Sequence, residues 1–336
     1  MIPSSIPSPL PRPMERARDS FPQYWGDIPE ADVFAPGHLI LLQDPTRSVT
    51  ITVDHGIGGA GRRTLLAEIR LRSALAGETV RWSLRDPDLN DTLDSLPRWA
   101  RGTISLCESL RTAGFSINPF DAFFSSNLPP RWGLGFFESQ MAASWLLIHQ
   151  LFNCSLKDLK KIHENSNLDE DCRGIMAILL GRRQTALLHH TNNPSKQEIP
   201  FDERDTTLVV IPTGWKGSED PVTTPLFDEA LHSLQHQGPI ALATFLRNTR
   251  ENLTDQSIIE ECHQPIDQLI ALALQEPQAK GLIPTQHGKG LAILTHRSEA
   301  KTLKKRIKNR YHQVTGLGKR RGVLLETGEH FPRISS

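Results

Sequence analysis

The sequence predicts an α+β chain folded as two domains, and three observations carry that prediction. Strand-forming runs gather early: HLILL from His38, VTITV from Val49, RTLLAEIRL from Arg63 and VRWSL from Val80, with helical spacing at Leu96–Gly114 and Gln140–Asn153. Strands gathered together, with helices to cover a face, give an α+β layer. A polar stretch rich in Asn, Pro and Lys, HTNNPSKQEIPFDERD from His190, then divides the chain. Beyond it come the strand TLVVIP from Thr207, helices at Leu226–Gln235, Ile240–Arg247 and Ile266–Leu274, the strand LAILTH, a basic helix and the strand GVLLE. That order is compatible with a ferredoxin-like layer. With 336 residues, each half is long enough to bury its own core. The expected divisions are residues 1–15, rich in Pro and Ser and expected to be disordered, a first domain over 16–195 and a second over 196–336.

Composition excludes several classes of partner. Lys plus Arg equals Asp plus Glu at 38 each, so no global field favours nucleic acid or an anionic membrane. Cys107, Cys154, Cys172 and Cys262 lie far apart without C-x-x-C spacing, which argues against a disulfide scaffold and a zinc ribbon. The opening residues have no apolar signal-like run, and no stretch reaches the length of a membrane span. A reduced, cytoplasmic setting is expected, with the sequons at Asn153 and Asn252 idle.

The segment LPPRWGLGFFESQ, Leu128 to Gln140, lies between the strand-like INPFDAFFSSN and the helical MAASWLLIHQLF. A phosphate-cradling loop in that setting needs small residues so that N–H groups can approach the oxygens. Gly133 and Gly135 have the right spacing, whereas Phe136, Phe137 and Glu138 stand where hydroxyls and small residues belong. This segment resembles the second signature of the galactokinases, a branch of the GHMP kinases, P-x-G-A-G-L-S-S-S-A. The resemblance continues in order along the chain from about Arg16 to Pro332. It includes an amphipathic helix and strand through Ala35-Pro36-Gly37, the long helix and edge strand Trp99–Ala122, CRGIMAILLGRRQTALLHH from Cys172, CHQPIDQLIALALQEPQAKG from Cys262, and the closing helix and strand.

The resemblance implies the two-domain GHMP kinase fold, an N-terminal ribosomal-protein-S5-domain-2-like domain followed by a C-terminal ferredoxin-like domain. It also implies ATP- and Mg²⁺-dependent transfer of a phosphoryl group to galactose. In the family's first signature, P-G-R-x-N-x-x-G-E-H-x-D, polar residues hold the sugar. The matching positions here retain Gly37 and Asp44, with His38 in place of the arginine, Ile40 of the asparagine, Pro45 of the histidine and Arg47 of the last acid. Gly37, His38 and Asp44 are therefore the substrate-side candidates. Gly133, Gly135 and Gly288 are the nucleotide-side candidates, Gly288 being the residue in register with the third signature in the run Ile283 to Gly288. The family's catalytic acid follows Gly-Ile-Met, and Ala177 follows Gly174-Ile175-Met176 here, so no catalytic residue is assigned. A positioned base contributes about 10²–10⁴ in rate, and Glu138 at about 5 Å from a phosphate charge would cost about 3 kcal/mol at an effective dielectric of 20.

The remaining features read more simply. His232 and His236 are four apart on a helix, a spacing that can bind zinc, but without a third ligand in the sequence they read as surface or core histidines. His189-His190 reads as structural, and Asp54-His55 followed by GIGGAG as a turn. The basic residues Lys301, Lys304, Lys305, Arg306, Lys308, Arg310, Lys319, Arg320 and Arg321 read as a solvated face rather than a nucleic-acid site. The expectation is a galactokinase-like protein with little or no catalysis, retained for binding or regulation through an unknown small-molecule or protein partner. The alternative is an active, divergent GHMP-type sugar kinase. ATP and Mg²⁺ are implied by the resemblance alone, and neither a metal site nor a membrane or nucleic-acid partner is expected.

Overall fold

The computed structural model describes residues 11–85, 93–165, 172–181, 185–190, 196–201, 206–212, 224, 226–254, 265–286, 289–315, 323–325 and 333–334. Among the described residues the first element is α1 (Arg12–Trp25), whose first turn overlaps the segment expected to be disordered. Pro13 near the first helical position is pre-set for helix, and Met14, Ala17 and Phe21 are buried against the first sheet, which outweighs the proline-rich composition.

That sheet contains β1 (Ala31–Gln43), β2 (Arg47–Arg63), β3 (Glu68–Ser73), β4 (Thr79–Ser83) and β5 (Phe120–Ser126). Its main path runs β12-β1-β2-β5-β3-β4, with β6 (Thr185–His190) on the far part of β2, β7 (Lys196–Pro200) beside β6, and β12 (Arg333–Ile334) closing on β1. β7 pairs Ile199 with Ala186 of β6, so the first sheet continues past the expected division at 195. The division was set by polar composition, whereas an edge strand needs only one apolar face and can be polar on the other.

The glycines of GIGGAG are in the middle of β2, paired to β1 on one side and β5 on the other, instead of in a turn. A Cβ on Gly58 would lie 2.3 Å from the Pro13 carbonyl carbon and 2.4 Å from the Met14 nitrogen. These residues are small because α1 lies directly on the strand, a close backbone approach rather than a chain reversal. The Pro36-Gly37 step is likewise within β1, at a register shift.

On the sheet's other face pack α2 (Arg98–Thr112) and α3 (Phe136–Phe152), followed by α4 (Leu156–Asn165) and α5 (Cys172–Leu180). α3 is buried nearly all round, with Trp145 fully enclosed, which suits an apolar helix at the centre of a domain.

The second sheet has order β11-β8-β10-β9, formed by β8 (Thr206–Pro212), β9 (Gly281–Pro284), β10 (Gly290–His296) and β11 (Val323–Leu325). Period-two alternation divides β8. Leu208 and Val210 join the core that includes α6 (Phe227–Gln237) and α7 (Pro239–Thr254), whereas Val209 and Ile211 join the one formed with α8 (Pro265–Leu274) and α9 (Ala300–Thr315). Sandwiched between helices, β8 is buried throughout.

Candidate functional site

The segment between β5 and α3 folds back over β1, and its geometry follows from hydrogen bonds to β1 and β2. Gly56 N donates to Asn127 Oδ1 at 2.8 Å, which pins the end of β5 beside β2. His38 N then donates to Leu134 O at 3.1 Å, and Ser139 Oγ lies 2.9 Å from Pro36 O and 2.6 Å from Gly135 O. Gly37 makes the close approach possible, since a Cβ there would meet the Leu128 side chain at 2.7 Å and Leu134 O at 2.9 Å. Gly133 and Gly135 both adopt left-handed backbone, at φ 67° and 68°, and Gly135 starts α3.

The side of each glycine on which a side chain would project is filled by the protein itself. His38 is 2% exposed, and its ring is clamped between Gly135 and Gly174 of α5. A Cβ on Gly135 would be 2.1 Å from His38 Nδ1, and one on Gly174 would be 3.2 Å from His38 Cε1 and 3.0 Å from Glu138 Cγ. A Cβ on Gly133 would meet Thr285 Oγ1 at 2.6 Å and Gln286 O at 2.6 Å. Gln286 N donates to Gly133 O at 3.2 Å, while Gln286 Nε2 donates to Glu138 Oε1 at 3.1 Å. Two segments nearly 150 residues apart in sequence are thus latched together at the N-terminus of α3.

Gly37 and His38, expected on the substrate side, lie directly beside the Gly133–Gly135 segment expected on the nucleotide side. Asp44 lies six residues beyond His38, just past the end of β1 and roughly 20 Å away at ~3.3 Å per residue. There it closes the β1–β2 turn. Asp44 Oδ1 accepts from the N–H groups of Thr46 and Arg47 at 2.8 and 2.6 Å, and Oδ2 accepts from Arg47 Nε at 2.8 Å. Burial pushes the Asp44 carboxyl upward, but hydrogen bonds from Thr46 and Arg47 outweigh it and hold it below the ordinary carboxylate value. Arg47 also reaches Asp228 of α6 at 2.6 Å and covers the Phe227 ring, and Gln43 exchanges two hydrogen bonds with Thr224. The hairpin matching the sugar-holding signature therefore fastens the second half of the chain to the first sheet. Ala177 is buried on α5, three residues after Gly174. Gly288 and His287, with Lys319, Arg320 and Arg321, lie outside the described residues.

The aromatics after Gly135 face inward. Phe136 is 8% exposed, and Phe137 and Trp132 are partly buried against the main core. Phe137 meets the Phe136 ring edge-on at 5.3 Å, and the Arg98 guanidinium lies 3.9 Å above it. Glu138, in the first turn of α3, already offsets the helix's positive end. A side chain at Gly135 would need the space of the His38 ring and one at Gly133 that of Thr285 and Gln286, while an anion at the helix end would face the Glu138 carboxylate. A carboxylate in the first turn of α3 does not suit a phosphate held at that helix end. The partnership of Gln286 with Glu138 escaped sequence reasoning, because nothing local links residues so distant in the chain.

No family model matches the chain. It is 26% identical to a galactokinase of Ligilactobacillus salivarius (strain UCC118) over 211 residues, 58% of this chain and 53% of that one. The chain thus spans about half the length of the curated relatives it matches. Among solved structures it is similar to the galactokinase of Lactococcus lactis complexed with galactose, with a TM-score of 0.67 at 15% identity, covering 93% of this chain and 97% of that one. A mevalonate kinase gives a TM-score of 0.65 at 14% identity over 88% and 98%. The two-domain α+β fold is the one these kinases share.

Proposed function

We propose that this chain, a divergent galactokinase-like member of the GHMP kinase superfamily, is a binding or regulatory relative that no longer transfers phosphoryl groups. One observation supports the reading above others: Thr285, Gln286 and His38 pack directly against Gly133 and Gly135, and Glu138 follows in the first turn of α3. Phosphoryl transfer depends almost wholly on positioning and charge stabilisation, so damage to both loops multiplies rather than averages. Ala177 at the catalytic-acid position removes a further ~10²–10⁴ in rate. Asp44, spent on the β1–β2 turn and Arg47, is not free to hold a sugar hydroxyl.

The test has two arms. Thermal unfolding with millimolar ATP·Mg²⁺ is expected to show no shift, whereas a nucleotide at 100 times its dissociation constant would add about 2.7 kcal/mol. Incubation with ATP, Mg²⁺ and galactose is expected to yield no galactose 1-phosphate. A Mg²⁺-dependent upward shift with turnover of roughly 1–100 per second would overturn the proposal in favour of an active sugar kinase.

A further inference from the structure

We propose that the exposed face of α6 carries a chelating site for Zn²⁺, formed by His232 and His236. Both side chains are exposed, and their rings lie 4.3 Å apart between centroids at a 42° tilt. Four-residue spacing places side chains above one another on adjacent helical turns. The same spacing supplies two ligands of helical zinc sites, where both imidazoles reach one cation about 2.0–2.1 Å from each nitrogen.

The helix presenting the pair is firmly held. Phe227, Ala230, Leu231 and Leu234 are buried on its other side, Asp228 in its first turn is bound by Arg47, and Gly238 N closes its end on Leu234 O. A rigid backbone leaves only the side-chain torsions to be fixed when a cation binds, which favours a two-armed site. Among the described residues no group of three metal-ligating side chains occurs, so water completes the shell. Imidazole nitrogen selects borderline cations such as Zn²⁺ over Mg²⁺ and Ca²⁺, which require oxygen ligands. The site is therefore chemically separate from any question of magnesium nucleotide binding at the loops.

Calorimetric titration of tag-free full-length protein with ZnCl₂, in excess Mg²⁺, tests the proposal. His232→Ala, His236→Ala and wild type are compared, all three checked for the same unfolding midpoint. The expected result is one saturable equivalent whose affinity falls at least about tenfold in each variant, because losing one arm of a chelate removes its effective-concentration advantage. A smaller loss in either variant, displacement by Mg²⁺, or no saturable equivalent in the wild type would overturn the assignment.

Discussion

Gly135→Ala tests whether this glycine is required by the phosphate-loop shape or by the His38 ring. At φ 68° an L-residue costs roughly 1–2 kcal/mol. The new methyl would lie 2.1 Å from His38 Nδ1 and 2.3 Å from Cε1, against the ~3.5–4.0 Å of ordinary contact. The ring cannot simply retreat, since Gly174 closes its other side and His38 is 2% exposed. Overpacking of this kind costs about 1–3 kcal/mol, for a total of roughly 2–5 kcal/mol. At ~2 °C per kcal/mol for a chain of this size, the unfolding midpoint should fall by about 4–10 °C. The informative measurement is the same substitution in a His38→Ala background, followed by urea unfolding and tryptophan fluorescence. Removing the ring should leave only the backbone strain, so the cycle should show about 1–3 kcal/mol of coupling. Equal costs of Gly135→Ala in both backgrounds would refute the clamped-ring account and restore Gly135 as a free loop glycine.

Asp44→Ala should cost about 1.5–3 kcal/mol at pH 7, the value of hydrogen bonds to a charged group. Because the folded carboxyl is held below its ordinary value, that stability exists above pH ~3.9 and is lost on acidification. The gap between wild type and variant should therefore close toward pH 2–3, and a pH-independent gap would contradict the account. Burial holds the His55 imidazole below its ordinary value, so its contribution is complete above pH ~6.5 and is lost as pH falls through the folded value. His55→Phe should flatten the decline in unfolding midpoint below pH ~6.5, and parallel slopes would count against it. Phe136→Ser should destabilise by about 3–5 kcal/mol and Phe137→Ser by less, measured by chemical denaturation. Neutral behaviour of both, with loss of association, would identify a partner-facing patch instead.

The main strands and helices were legible because period-two and period-3.6 apolar spacing is a local property of the chain. TLVVIP, the helix from Met141 and the strand around Phe120 appear where their patterns place them. The order of motifs also pointed to the fold. The sequence could not say what each glycine is for. Gly58 has the composition of a turn, yet is in mid-strand because Pro13 and Met14 rest on it. Gly135 fits a phosphate loop, yet its open side is filled by a histidine almost a hundred residues earlier. Asp44 and Arg47 align with a signature expected to hold a sugar, yet join α6 through Asp228. In each case the deciding neighbour is distant in the chain. A glycine's local pattern records only that space is needed, and tertiary packing decides whether backbone, side chain or ligand fills it.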